Sequence, residues 1–290
     1  MPRRDGVFVV GAQTSPQLWT SAVDVGAQQV CVLPEQEPEL VRQLAEAVDA
    51  GPAGSRCGRV IAVMAGRGGA GASMFSAALA LCAGDALLVD VDPFGGGIDL
   101  LLGAERDPGL RWPDVHVQSG RLGWPALRAV LPRRRDLSIL SGSRVFHEIE
   151  PGAVTAVVDA GRRGGVSVIC DLPRGLTPAA LAGLHSADLV VVMTSCDVRA
   201  VAATAATVTV LRTLNPAIGL VVRGPSPGGL LAREAAAAAA APLLAAMRPE
   251  PRLAQQLEHG GLRLRNRSPL AHAAREVLDA AIRSAPGRAA

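Results

Sequence analysis

From Arg59 onward, apolar segments of strand length alternate with stretches of helical periodicity. Val60–Met64, Ala86–Val91, Leu137–Leu140, Val166–Cys170, Leu189–Thr194 and Ile218–Val222 read as strands. They lack the in-out alternation of a half-exposed sheet, so both faces are expected to be covered. Met74–Cys82, Val154–Ala160, Arg199–Leu214 and most of Leu230–Ile282 read as helices. Alanine is the strongest helix former, so the run Ala235–Ala241 is placed inside a helix. The pattern predicts an α/β fold with a doubly wound, mostly parallel sheet. Ahead of it, Val7–Val10 and Gln29–Leu33 read as strands, and Ser15–Val25 and Glu37–Val48 as helices. Ala50–Ser55 reads as a linker. The expected division is a segment at 1–56 and a main domain at 57–290.

Composition narrows the chemistry. All 29 basic residues are arginine, and tyrosine is absent as well. Lysine Schiff-base chemistry and a lysine general base are therefore excluded. So is the lysine of a standard phosphate-binding loop, for which a planar, permanently charged arginine is no simple substitute. Abundant alanine with arginine-only basic usage points to a GC-rich bacterial genome. With 49% hydrophobic and 19% charged residues, the chain can bury a sizeable core. A net charge of +3 argues for neither nucleic acid nor anionic lipid. Cys31, Cys57, Cys82, Cys170 and Cys196 show no C-x-x-C spacing and are expected to be buried reduced thiols. No signal peptide is evident. Pro242 interrupts the longest alanine-rich stretch, which falls short of the ~20 residues of a membrane span. A cytoplasmic protein is expected.

The sharpest feature is VIAVMAGRGGAGAS, Val60–Ser73. An apolar strand enters Gly66-Arg67-Gly68-Gly69-Ala70-Gly71-Ala72-Ser73, and an apolar helix follows. Glycines let backbone amides approach an anion, and the helix start adds partial positive charge. Ser73 would be the hydroxyl that reaches Mg²⁺. LLVDVDPFGGG places Asp90 and Asp92 after a second strand, and VSVICDLPRG places Asp171 after a third. Carboxylates at the carboxyl ends of parallel strands line the ligand edge of such sheets.

Together these motifs resemble the deviant Walker A family, the MinD/ParA group of bacterial positioning ATPases, whose loop runs K-G-G-x-G-K-[ST]. Arg67 falls at the first lysine and Ala72 at the second, while Gly68, Gly69, Gly71 and Ser73 match. The resemblance implies a P-loop NTPase-like fold over roughly residues 57–285. It implies ATP or ADP with Mg²⁺ as cofactor. Asp92 would polarise the attacking water, Asp90 and Asp171 would act near the metal, and Arg67 would reach the partner's nucleotide in a homodimer. PFGGGIDLLLG, GLRWPDV and LPRRRDLSILSGSR resemble the CpaE/TadZ branch, including its actinobacterial septum-site-determining members. That branch implies septum or Tad-type pilus and secretion machinery as partners, with recruitment to the pole or septum. It also carries an atypical receiver-like domain, of which residues 7–50 resemble the second half. Leu33-Pro34 stands where a working receiver has Lys-Pro. So small a segment implies either a shortened start or docking onto the main domain.

The substitutions bear on turnover. With Ala72 at the lysine position, slow or absent hydrolysis is expected, and Arg67 could retain part of a role in trans. Arg223 stands where many relatives have an asparagine that reads adenine. It could stack on a base but not accept from its amino group. The remaining readings are an active ATP-hydrolysing switch and a ParA-like DNA binder acting through Arg263, Arg265 and Arg267. Arg133–Arg135 reads as a solvated loop or a contact for an acidic partner or lipid headgroup. Trp112 and Trp124 read as packing anchors.

Overall fold

A computed structural model describes residues 7–49, 57–116 and 122–283. The linker read at Ala50–Ser55 and the tail beyond Arg283 lie outside the described residues.

The first stretch forms β1 (Phe8–Gly11), α1 (Pro16–Val25), β2 (Gln29–Val32) and α2 (Glu37–Asp49). β1 and β2 pair in parallel as a sheet of their own. Ser15 caps α1 by accepting from the Leu18 amide, and left-handed Gly26 ends it.

The rest runs β3 (Val60–Ala65), α3 (Ala72–Cys82), β4 (Ala86–Asp90), α4 (Ile98–Leu102), α5 (Trp124–Val130), β5 (Arg133–Arg134) and β6 (Leu137–Leu140). It continues with α6 (Pro151–Arg163), β7 (Ser167–Asp171), α7 (Pro178–Ser186), β8 (Leu189–Ser195), α8 (Val198–Leu214) and β9 (Ile218–Arg223). It closes with α9 (Ala232–Ala238), β10 (Leu243–Met247), α10 (Leu253–Glu258) and α11 (Pro269–Arg283). The strands form one sheet in the order β10-β9-β8-β3-β7-β4-β6-β5, parallel except for β5 against β6. This is the α/β, mostly parallel architecture that the apolar runs predict.

Side chains of a strand alternate between faces, and here each face has its own core. Val60, Ala62 and Met64 of β3 pack with residues of α6, α7 and α8. Ile61 and Val63 pack on the other side with residues of α3 and α11. β3 and its neighbour β7 therefore hand the chain to opposite faces, through α3 and α7. A crevice opens where adjacent parallel strands diverge in this way, at their carboxyl ends.

Several expectations need correction. Leu230–Ile282 holds the helices α9, α10 and α11 as expected, but α9 stops at Ala238 inside the alanine run, Ala240 takes a positive φ, and Leu243–Met247 is a strand paired with β9. The pairing with β9 overrides alanine's helix propensity, which is only a weak prior. Arg133–Arg134 is a short edge strand rather than a loop, and Arg134 pairs with Asp107. Cys31, Cys170 and Cys196 are buried free thiols, but Cys57 is exposed and Cys82 half-buried. Trp112 and Trp124 are buried as anchors, and Trp112 Nε1 donates to the Asp90 carbonyl. Among the described residues, no helix is long and apolar enough to cross a membrane.

Candidate phosphate site at the carboxyl edge of the sheet

The loop between β3 and α3 sits at the crevice. Gly69 and Gly71 have φ of +76° and +98°, a region that favours glycine. A Cβ on Gly68 or Gly69 would meet nothing within 4 Å, so the loop faces open space there. Gly71 is the N-cap of α3 and makes no side-chain cap. The first-turn amides of α3 are therefore free of a side-chain acceptor, as an anion site needs. Gly66 donates its amide to the Met193 carbonyl of β8 and so pins the start of the loop.

Asp90 and Asp171 are register partners at the ends of β4 and β7. Asp171 is 3% exposed. Ser76 Oγ of α3 lies 2.8 Å from its Oδ1, and the Ser73 hydroxyl is close enough to favour the charged carboxylate. Burial, then the charge of Asp90, pushes the Asp171 carboxyl up to about 7, and the two serines only partly oppose this. Burial also raises Asp90. Three backbone amides, from Asp92, Ile98 and Gly142, donate to the Asp90 carboxylate, so it ties the loop after β4 to the loop after β6. Asp92 is half-buried and accepts from the Phe94 amide at 3.0 Å.

Arg67 turns to Asp197, the N-cap of α8, with a separation of 3.2 Å. Asp197 also accepts from the Ser195 hydroxyl and the Ala200 amide. These hydrogen bonds and the guanidinium hold its carboxyl below the usual range. Arg223, at the end of β9, donates to the Gly69 carbonyl at 3.0 Å. A cleft of about 420 Å³ adjoins the loop, walled by Met74, Arg223, Met247, Glu250 and Leu253 among others. Ala72, at the lysine position, is buried and offers no charge.

The expected site residues thus gather at one edge: the loop 66–73, Asp90, Asp92, Asp171 and Arg223. Arg263, Arg265 and Arg267 are exposed between α10 and α11. Sequence reasoning did not point to Ser76 or Asp197. It also missed Asp99, which is buried and meets Arg111 and Arg144, each at 3.0 Å, together with the Ser141 hydroxyl. Their partners lie too far along the chain to be read from spacing. Phe94 and Phe146 stack at 5.0 Å and remain 81% and 60% exposed on the loops that follow β4 and β6.

Protein Rv3660c of Mycobacterium tuberculosis H37Rv and protein MT3760 of strain CDC 1551 are each 60% identical to this chain over 289 residues. The match covers 99% of this chain and 83% of theirs. The chain belongs to the Rv3660c family. A family described as Rv3660c-like, CheY-like N-terminal domain matches residues 1–56. Among solved structures, a ParA family ATPase from Chlorobium tepidum is similar to this Rv3660c-family chain with a TM-score of 0.67 and 18% identity. That similarity covers 77% of this chain and 98% of the other. The cell-division ATPase MinD of Pyrococcus furiosus gives 0.62 and 21%, covering 77% and 99%. The septum site-determining protein MinD of Pyrococcus horikoshii, complexed with Mg-ADP, gives 0.60 and 22%, covering 79% and 99%. The fold of this Rv3660c-family chain is that of the MinD/ParA ATPases, preceded by a CheY-like N-terminal domain.

Proposed function

We propose that this chain is a nucleotide-binding positioning scaffold of the MinD/ParA type, of the CpaE/TadZ branch, with a degenerate phosphate loop. It works as a homodimer at the septum or at a Tad-type pilus or secretion assembly, and it hydrolyses ATP weakly or not at all. One observation carries the reading. The loop keeps its glycine geometry, its uncapped helix start and the Ser73–Asp171–Ser76 cluster, while its two lysine positions hold Arg67 and Ala72. The amides that would bind phosphate and the hydroxyl that would reach Mg²⁺ are thus retained, and the cation that acts on the transferred group is gone.

Mg²⁺ fits the donor set. Two carboxylates buried side by side and hydrogen-bonded by hydroxyls and amides, with Asp92 near them, favour a hard dication, for which oxygen ligands are right. Ser73 would hold it, with Asp171 beside it and Asp90 bracing the loop. When bound, Mg²⁺ would neutralise phosphate charge. Among the described residues, no three His, Cys, Asp or Glu side chains converge as a metal-ligating cluster. A bound nucleotide's phosphates would complete the ligand set. The homodimer would cover the exposed Phe94–Phe146 pair at this edge.

Phosphate release and sizing in Mg-ATP and Mg-ADP test the proposal. The expected result is an ATP-dependent shift to dimer with little phosphate released. Steady-state hydrolysis that disappears in Asp92→Ala would instead show an active switch.

A further inference from the structure

The loss of lysine leaves the phosphate loop in need of a cation; Arg252 lines the adjoining cleft, Arg67 belongs to the loop, and Arg223 hydrogen-bonds it. Arg67 is already engaged: Asp197 neutralises it at 3.2 Å, and Asp197 is itself fixed by Ser195 and by its capping role on α8. Arg223 is different. Among the described residues its guanidinium has no carboxylate partner, and the one hydrogen bond of that group is the donation from Nη2 to the Gly69 carbonyl. A Cβ built on Gly71 would lie 3.6 Å from its Nη1. The guanidinium therefore arches over the glycine loop itself, half-buried, at the mouth of the adjoining cleft. Guanidinium has five donors, so one bond to a carbonyl leaves most of the fork free. β9 sets this position: Arg223 is its last residue, in register with Ser195 of β8 and Met247 of β10.

We propose that Arg223 is the phosphate-binding cation of this site, gripping the polyphosphate of a nucleoside di- or triphosphate from β9 in place of the lysine absent at Ala72. The inference rests on the reading that the loop takes a nucleotide. It moves the role of Arg223 from the base to the phosphates. A fork aimed at the loop meets the oxygens that the loop amides hold, and a bidentate charge-assisted contact is strong. The base would lie farther along the cleft, against Met74, Met247 and Leu253. The grip is made in cis, in a single chain, so it does not depend on the dimer.

The test is calorimetric titration of the full chain with two probes, Mg-ADP and inorganic tripolyphosphate. The variants are Arg223→Ala, Arg223→Gln and the control Arg233→Ala, an exposed arginine on α9. Arg223→Ala should weaken both probes roughly 10- to 100-fold. Arg223→Gln should do the same: it keeps an N–H donor and much of the side-chain bulk but loses the charge, so it separates charge from polarity and packing. Arg233→Ala should match wild type. If both Arg223 variants bind both probes like wild type, the inference fails and the nucleotide reading stands. If they lose Mg-ADP but keep tripolyphosphate, Arg223 serves the base and the inference fails. If Arg223→Gln alone binds like wild type, the residue only supports the loop, and the inference again fails. If wild type binds neither probe, the nucleotide reading falls and takes the inference with it.

Discussion

Asp99 and Asp171 are both buried carboxylates on the carboxyl side of one sheet, 1% and 3% exposed. Their surroundings are opposite. Asp99 is saturated: Arg111 and Arg144 pair with it, and the Ser141 hydroxyl and Leu100 amide donate to it. Arg111 then donates onward to the carbonyls of Ala104 and Gly109, so the acid knits the loop after α4. Asp171 has hydroxyls, but no cation among its described partners, and another carboxylate faces it across the strand pair. A buried acid that brings its own cations is architecture. One that leaves charge unanswered costs stability until a cation arrives from outside. The same contrast separates Arg67, answered by Asp197, from Arg223, which has no carboxylate partner among the described residues.

The largest effect should come from breaking the saturated site. Asp99→Ala leaves two arginines and a buried hydroxyl without their acceptor, and should cost about 3–5 kcal/mol in urea unfolding. Nucleotide binding in the surviving fold should change little by comparison.

Asp171→Asn should do the reverse, removing the Mg²⁺ dependence of nucleotide binding while stabilising the unliganded protein near neutral pH. The sign follows from linkage. The folded-state value is about 7, against an ordinary 3.8. Below the ordinary value both states are protonated, and the stability contribution of the protonated acid is fully present. As pH rises to about 7 the unfolded chain releases its proton and the folded one holds it, so stability falls. The advantage of Asp171→Asn over wild type should therefore grow across that interval and level off above it. A constant difference in unfolding free energy would show that Asp171 is not held protonated.

Ser76→Ala is a finer probe. It removes a hydroxyl that lowers Asp171, so it should cost about 1 kcal/mol and move the Asp171 midpoint upward. Arg144→Ala should have the smallest effect. Its side chain is 44% exposed and Arg111 remains on Asp99, so about 1 kcal/mol or less is expected in thermal unfolding.

Much of this frame is legible in the chain itself, because β3, β7, β8 and β9 are apolar on both faces and the glycine loop is local. The loop, Ser73 and Asp171 each stand at a strand end that periodicity locates. β10 was not legible. It is an edge strand, LLAAM, with Leu243 and Ala246 exposed and only Ala245 fully buried, and its composition is that of a helix. α7 was missed because PAALAGLHS is short and holds two small-residue turns; Thr177 caps it by accepting from the Ala180 amide. The couplings within the site are long-range. Ser76 meets Asp171 across 95 residues and Arg67 meets Asp197 across 130, and no local spacing encodes either. Whether an arginine near the loop is engaged or free is a property of the fold.

The central claim is that a lysine-free loop still holds a magnesium nucleotide. Titration of the wild-type chain with ADP, with and without Mg²⁺, tests it most directly. The account predicts saturable binding with Kd between about 1 μM and 1 mM that weakens when Mg²⁺ is withheld. No saturable heat up to millimolar Mg-ADP would contradict it.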